Sequence, residues 1–405
     1  MKLLELYHNF VRKFQAKNYF INYLHIILYV LNIISFFDYI LASSFMRKTI
    51  KILLLLFIQT VAIYDAKAQI RVYSNEFLNI GVDAASLSMG NSIIANISGV
   101  NSGYWNPAGL PSVTKKMEWS LMHANYFSGL AQYDYLGAAF KINDSTALGL
   151  SIIRFGVDNI PNTLNLVDAN GNVNYDRITY FSIADYAFLF SFGKKLKIKG
   201  LSIGGNLKLI YRQQGDFAKA YGFGFDLGMQ YIKTKWKFGA LLRDVSSTFN
   251  IWIFDTKLFE KVFIQTGNEL PENSMEISLP KILLGTARNF SINNKLSALV
   301  EIDLDIYFDG AHNSVIKLDP ISLEPHLGFE FKYLNNVFIR GGVNGFQHIK
   351  NINNKKTLIL QPSAGIGVSY FNIEFDYALT DIGDLTVAPY SHIFSLKYRF
   401  NFKQR

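Results

Sequence analysis

Long segments in which apolar and polar residues alternate dominate the chain after residue 115. In residues 221–231 one face carries Tyr, Phe, Phe, Leu, Met and Tyr, and the other carries Gly, Gly, Asp, Gly and Gln. Residues 296–308, 371–379 and 392–402 repeat the pattern. Successive side chains of a β-strand point to opposite faces, so a period of two predicts strands with one apolar and one polar face. The pattern predicts an all-β chain.

Segment length and segment number separate a membrane barrel from a soluble sandwich. About fourteen segments follow one another, most of them ten to fourteen residues long. Globular strands are usually about five or six residues long, whereas a tilted bilayer crossing needs about 9–11. The segments are 117–127, 131–142, 146–155, 177–192, 200–213, 220–233, 235–245, 280–290, 295–308, 321–333, 336–347, 357–370, 371–380 and 391–402.

The connections between these segments alternate in length. The connections that follow even-numbered segments are short. The connections that follow odd-numbered segments are mostly longer, and the longest are 156–176 and 246–279. The tight first hairpin at 128–130 is the exception. Bacterial barrels have short periplasmic turns and longer extracellular loops. We therefore expect a transmembrane antiparallel β-barrel of about fourteen strands over residues 115–405.

The N-terminal region has the anatomy of an export signal. Two basic residues after Met46 precede an apolar run at 50–63, and Ala66-Lys67-Ala68 is a small-x-small cleavage pattern. This predicts a signal peptide at 46–68, a mature chain from Gln69 and an outer-membrane location.

Residues 1–45 have two interpretations. Residues 19–41 are apolar and long enough to span a bilayer, which suggests an inner-membrane anchor. Because an anchor ahead of an intact signal peptide is redundant, the alternative is that translation starts at Met46 and residues 1–45 are not native.

Residues 69–114 lack clean alternation and are predicted to form an N-terminal hatch. Residues 77–90 suggest a helical turn and residues 91–100 a short strand, and Pro107 makes a rigid turn of the segment around it. A barrel of about fourteen strands has a wide lumen that is either water-filled or plugged. We expect Trp105 and Pro107 to lie inside the periplasmic half of the barrel.

Composition excludes several function classes. The chain has no Cys, which removes disulfides and Cys-based zinc sites. Its net charge is +9, but residues 1–68 hold eight Lys/Arg and three Asp/Glu, so the remainder carries +9 − 5 = +4. No basic run suits nucleic acid. The chain has no Gly-x-Ser-x-Gly motif, and its His residues lack metal-ligand spacing. We expect no enzyme activity, cofactor or metal.

Charged residues on the polar faces of the predicted strands should point into the lumen. Their arrangement suits either a selective channel or ligand site, or an ion-pair network that holds the hatch. Clustered carboxylates at 301, 303 and 305 are also what Ca²⁺ prefers, but a polar lumen face gives the same spacing. The lumen candidates are Arg212, Asp226, Glu301, Asp303, Asp305, Glu330, Arg340, Glu374, Asp376 and Arg399.

Loop 246–279 carries four aromatic residues: Trp252, Phe254, Phe259 and Phe263. Exposed aromatics suit a protein partner. They suit equally a cover over the barrel mouth, so both interpretations stand.

Three segments of the hatch resemble a known family. Residues 77–82, 89–90 and 104–110 resemble the opening of PorV/PorQ-type outer-membrane proteins, within the wider FadL-like group of plugged fourteen-strand barrels. The residues of this hatch motif are Gly81, Met89, Gly90, Tyr104, Trp105, Asn106, Pro107, Ala108 and Gly109.

The resemblance implies a binding or shuttle component of the type IX secretion system of Bacteroidetes. Its implied partners are the secretion translocon and the C-terminal domains of cargo, besides outer-membrane lipid and lipopolysaccharide. Such a shuttle predicts a sealed lumen and a binding surface on the long loops. The alternative is a FadL-like uptake barrel for hydrophobic small molecules, which predicts an apolar pocket and a lateral opening near Pro325 or Pro362.

Overall fold

The computed structural model describes residues 74–167, 171–258, 260–308, 314–318, 321–350, 356–380 and 390–401. The predicted extension 1–45, the signal peptide 46–68 and Phe259 lie outside these ranges.

Seventeen antiparallel strands form one sheet in the described ranges. They are β1 Met117–Tyr126, β2 Ala131–Lys141, β3 Thr146–Asn162, β4 Thr179–Lys195, β5 Leu201–Gln214, β6 Ala218–Lys233, β7 Trp236–Arg243, β8 Thr248–Phe254, β9 Ser274–Ser278, β10 Lys281–Ser291, β11 Leu296–Tyr307, β12 Ile316–Leu318, β13 Ile321–Tyr333, β14 Val337–Lys350, β15 Lys356–Tyr370, β16 Ile373–Thr380 and β17 Ser391–Phe400.

Fourteen of these strands form a closed wall. Each pairs with its neighbour along the chain, β7 pairs with β10, β11 pairs with β13, and β17 returns to pair with β1. The strands β8, β9 and β12 extend this wall at its long-loop end. The predicted all-β barrel of fourteen strands is confirmed.

The two faces of the wall differ as the alternation predicts. Along β6, Phe223, Phe225 and Leu227 are exposed on the outer face, whereas Asp226 and Gln230 are buried inside. An apolar exterior around a polar interior suits hydrocarbon outside and protein inside.

The hatch, residues 74–114, consists of short helical pieces. These are α1 Ala84–Ser88, α2 Ser102–Trp105, and 3-10 turns at Glu76–Asn79 and Pro107–Ser112. The strand predicted at 91–100 is wrong, because this segment forms turns. Its N–H groups at 93–96 bond to carboxylates of the wall and not to a neighbouring strand.

The two longest predicted loops are shorter than expected. The strand β3 runs on to Asn162, and parts of 246–279 are the strands β8 and β9. The wall continues from β7 to β8 after a break where Asp244 and Ser247 have positive φ, 56° and 60°. That break interrupts the alternation, which is why the sequence pattern ended there. The helix α3, Glu260–Thr266, occupies the remaining loop.

No helix among the described residues is long and apolar enough to cross a membrane.

Candidate functional site: the lumen and its hatch

Two carboxylates of β11 fasten the middle of the hatch. Asp303 accepts hydrogen bonds from the backbone N–H groups of Ile93 and Ile94, at 2.7 and 2.9 Å. Glu301 accepts from the N–H groups of residues 95–96, at 2.7 and 3.2 Å. Both side chains are buried. Hydrogen bonds to backbone donors are strong in a dry interior, so these contacts fix the turn against the wall.

Further polar contacts fasten the hatch at other points. Glu118 accepts from the backbone of Val100 at 3.2 Å and of Thr114 at 3.3 Å. Gln230 donates to the carbonyls of Ile94 and Ile97, at 3.2 and 3.0 Å. The hatch backbone is thus satisfied by side chains of the wall, as buried backbone groups require.

The two aromatic residues of α2 join the later part of the hatch to its beginning. The ring nitrogen of Trp105 donates to the Val82 carbonyl at 2.9 Å, and the Tyr104 hydroxyl donates to the Leu78 carbonyl at 2.5 Å. Arg243 stacks over the Tyr104 ring, 4.9 Å from its centroid. Burial raises the pKa of Tyr104, so the hydroxyl keeps its proton at neutral pH.

The Asn-Pro-Ala turn is buried beside the short-turn ends of the strands. Pro107 begins a 3-10 turn, and Asn106 caps it by accepting from the Ala108 N–H at 3.2 Å. The backbone of Pro107 lies so close to Gly193 and Gly204 that a Cβ on either would be 2.4–2.6 Å away. These glycines lie near the ends of β4 and β5 that the short turn joins, so Pro107 lies in the short-turn half of the barrel. Trp105 is buried as well.

Glycines of the wall make room for the end of α1. A Cβ on Gly342 would lie 2.1 Å from the Met89 carbonyl carbon, and one on Gly328 would lie 2.6 Å from the Met89 oxygen. Gly90 has φ +63°, which favours glycine. Met89 and Gly90 therefore pack directly on the strands β13 and β14.

The ten predicted lumen residues lie on the inner face and are held in ion pairs or in contacts with the hatch. Arg340 pairs with Glu330 at 2.7 Å and with Asp376 at 2.6 Å. Arg399 pairs with Glu374 at 2.5 Å. The remaining contacts are Arg212 with Asp185 and Glu276, Asp226 with Lys208, Asp305 with Lys281, and the hatch contacts of Glu301 and Asp303.

Sequence reasoning missed several members of these clusters. Asp244 pairs with Lys208, and Glu276 accepts from Ser74 at 2.9 Å. Asp244 lies in the break between β7 and β8, and Glu276 lies in the short strand β9 that follows it in the chain. The period of two could not assign them to a face, and no other signal in the sequence marks them.

One side of the lumen is apolar. Tyr133, Ile153 and Phe155 on the strands β2 and β3 face inward, where Phe77 and Leu78 of the hatch join the same buried cluster. The ion pairs of Lys208, Arg212 and Arg340 lie on other strands. The inner face of β2 and β3 therefore forms an apolar sector, whereas the strands with the ion pairs also carry buried apolar residues such as Ile210 and Ala378.

Pairing between β13 and β14 stops partway up the wall. Their ladder joins residues 327–333 to residues 337–343 and ends at Leu327 and Val343. Beyond that point β11 remains the partner of β13 on its other side, and β15 remains the partner of β14. The short strand β12 takes the β14-facing edge of β13 at residues 321–323. Within the described ranges, no strand pairs with that edge at residues 324–326 or with the β13-facing edge of β14 at residues 344–350. We call these two edges the wall split.

The aromatic residues of the predicted partner loop have separate environments. Trp252 of β8 is only 4% exposed and lies under Arg212, 5.0 Å from the guanidinium carbon to the ring centroid. Phe254 and Phe263 are half-buried. Trp252 is therefore buried on the inner face of β8, whereas the role of this loop stays a prediction.

No group of three or more His, Asp or Glu side chains in the described ranges could hold a metal ion. The carboxylates of Glu301 and Asp303 bind the hatch backbone instead.

No family model and no curated protein matches the sequence. Solved structures match the architecture over most of the chain. The Pseudomonas putida toluene transporter TodX aligns with a TM-score of 0.51 at 13% identity, covering 82% of this chain and 100% of that one. The CymD monoaromatic hydrocarbon channel aligns with a TM-score of 0.50 at 14% identity, covering 80% and 99%. The chain has the FadL-like outer-membrane barrel fold.

A Pseudomonas aeruginosa FadL homologue also aligns with this FadL-like barrel, with a TM-score of 0.46 at 12% identity and coverage of 79% and 98%. TodX and CymD are a transporter and a channel, not enzymes. At these identities the likeness concerns fold alone. The fold is typical of outer-membrane proteins, whereas cleavage of the signal peptide stays a prediction.

Proposed function

We propose that this FadL-like barrel takes up hydrophobic small molecules, and that they pass sideways through the wall split. The observation that carries the proposal is the end of the β13–β14 ladder at Leu327 and Val343, beyond which the facing edges are unpaired until β12 joins β13 at residues 321–323. A fully paired wall would carry the ladder to the top of both strands. A gap in it offers an apolar molecule a path between lumen and bilayer.

Local sequence features account for the split. Pro325 has no N–H to leave unpaired at an open edge. On the other side Gly345 has φ +62°, within a register shift between Asn344 and Gln347. A bulge of this kind bends the strand and increases its local twist. Proline and bulge together separate the two edges.

The hatch lies directly behind the split. His326 donates from Nδ1 to the Gly90 carbonyl at 3.1 Å, and Gly342 contacts Met89. A molecule that enters here meets the hatch first, so uptake requires the hatch to shift. The apolar sector around Tyr133 and Phe155 then favours an apolar molecule over a charged one.

Toluene is a suitable first probe, because TodX is a toluene transporter and CymD a monoaromatic hydrocarbon channel. The chain has no Cys, so introduced thiols react alone. We expect that Glu324→Cys with Phe346→Cys, bridged by a bis-thiol reagent that spans the split, abolishes toluene entry into proteoliposomes. Cleavage of a reducible bridge should restore it.

The matched control is Phe331→Cys with Ile339→Cys, which joins two residues already partnered in the paired part of the same strands. Its bridge should leave entry unchanged. Unaltered entry after complete bridging of the split would refute the lateral route. Heat-modifiable gel migration verifies that each variant is folded.

A second candidate function is the binding or shuttle role in type IX secretion. The observation that favours it is the loop carrying α3, on which Leu258 and Ile264 are exposed at 48% and 67%. Exposed apolar side chains on a long loop suit a protein partner.

This shuttle role is tested by replacing 255–273 with a short linker that leaves β8 and β9 intact. Recovery of exported cargo or translocon proteins from detergent-solubilised membranes should then be lost. If neither the intact nor the shortened protein recovers any, the shuttle role is excluded.

A further inference from the structure

The rim that carries the short turns is positively charged from the start of β1 to the β10–β11 turn. Ten lysines lie in these turns or at the adjoining strand ends. Among the described residues of this part of the rim, the one exposed acidic residue is Asp144, which pairs with Lys141 at 2.7 Å. We call these lysines the basic arc: Lys115, Lys116, Lys141, Lys194, Lys195, Lys197, Lys199, Lys233, Lys235 and Lys295. Lys115 and Lys141 are half-buried and the other eight are exposed.

The same turns expose large aliphatic side chains. Ile142, Ile198 and Ile292 are exposed, one in or beside each of the β2–β3, β4–β5 and β10–β11 turns. A turn surrounded only by water gains nothing from an isoleucine at its tip. Repetition in three turns indicates an environment that is partly apolar.

The basic arc also borders the lipid-facing surface of the wall. The outer residues next to it include the exposed aromatics Phe192, Trp236 and Phe290. Arg288 lies over two of these rings, 4.9 Å from the Trp236 centroid and 5.0 Å from that of Phe290. Aromatic rings with basic side chains beside them are typical of the boundary between hydrocarbon and headgroups.

We propose that the basic arc binds the phosphate groups of anionic phospholipids in the leaflet at this rim. In that layer the isoleucines reach the acyl boundary while the lysine ammonium groups meet phosphates. Attraction of this kind amounts to about fivefold in affinity for each lysine near the surface.

The distribution of the lysines favours lipid over an acidic protein. They are spread from the start of β1 to the β10–β11 turn and form no compact patch. A ring of surrounding lipids contacts all of them at once.

The opposite side of the rim has a different character. The β13–β14 and β15–β16 turns have no lysine and instead expose Leu334, Tyr370 and Phe371, the last at 85%. Enrichment of anionic lipid should therefore be confined to one side of the barrel.

The test uses the whole protein in nanodiscs of phosphatidylethanolamine, with and without phosphatidylglycerol, and counts co-purified lipids by native mass spectrometry. The wild type should retain phosphatidylglycerol in excess of its share. The variant Lys194→Gln, Lys195→Gln, Lys197→Gln, Lys199→Gln should lower that enrichment by roughly tenfold or more. Excess inorganic phosphate should not displace the bound lipid.

The control removes four positive charges from the long-loop rim: Arg177→Gln, Lys219→Gln, Lys257→Gln and Lys317→Gln. It should keep the enrichment. Equal loss in both variants would show an effect of net charge and overturn the proposal. If the wild type shows no preference for phosphatidylglycerol, the proposal is also overturned, and an acidic protein remains as the partner of the lysines. Displacement by inorganic phosphate would overturn it in favour of a free anion site.

Discussion

At the scale of single residues, buried carboxylates of the wall replace the backbone partners that the hatch lacks. The N–H groups of 93–96 have no strand beside them, and Asp303 and Glu301 accept from all four. An unsatisfied buried donor costs about 1–3 kcal/mol. The attachment of the hatch therefore depends on a few side chains.

The change Asp303→Ala leaves the N–H groups of Ile93 and Ile94 without acceptors. The hatch should become less stable by about 2–6 kcal/mol, the sum of two such penalties. Hydrogen exchange of residues 91–97 should accelerate accordingly, while exchange in the strands stays slow.

The control is Asp134→Ala, which removes a carboxylate of the outer face that pairs with His123 and Arg154 and does not contact the hatch. Exchange in 91–97 should not respond to it. Unchanged hatch exchange in Asp303→Ala would show that these bonds do not hold the segment.

At the scale of elements, the backbone of the hatch packs closely on the backbone of the wall, in addition to the polar contacts between them. The end of α1 rests on Gly328 and Gly342, and the Asn-Pro-Ala turn rests on Gly193 and Gly204. Glycine allows two backbones to approach where any Cβ would intrude. The glycines of the alternating strands therefore mark where the hatch lies.

The change Gly342→Ala places a Cβ 2.1 Å from the Met89 carbonyl carbon, closer than atoms can approach. Because the obstacle is backbone, the hatch should be displaced at α1 while the barrel still forms. Increased protease cleavage within 84–92, together with unchanged heat-modifiable migration, should result.

The control is Gly205→Ala, whose Cβ would lie 3.3 Å from the Asp226 carbonyl oxygen, a close contact that a small shift relieves, and would not approach the hatch. Its hatch should resist protease like that of the wild type. Equal protection of the hatch in Gly342→Ala would contradict the packing described for Met89.

At the scale of the whole molecule, β17 closes the barrel. It pairs with β16 on one side and with β1 on the other, where nine residue pairs from Met117 to Asn125 form the ladder. A barrel has no exposed edge only while this strand is present.

Deletion of 391–405 should leave β1 and β16 as open edges that cannot be tolerated in hydrocarbon. The truncated chain should lose the heat-modifiable folded band on gels and should aggregate. Deletion of 402–405 alone keeps β17 whole and should retain the band. A folded band from the longer deletion would show that closure does not need β17.

Most of the wall follows from sequence because alternation is a local property. All ten predicted lumen residues could be placed by counting in twos along a strand, with Arg340 and Asp376 as examples. The strand β8 could not, since two residues with positive φ, Asp244 and Ser247, break the count before it. The turns at 91–100 were mistaken for a strand because their hydrogen-bond partners lie about 200 residues away, at Glu301 and Asp303.

Alternation along the chain is enough to predict a membrane barrel of about fourteen strands, since each strand carries its own two faces. The pairing of the charges and the end of the β13–β14 ladder become visible in the folded barrel alone. The end of that ladder depends on how far two strands stay in register. Register is a property of partners, which no single segment encodes.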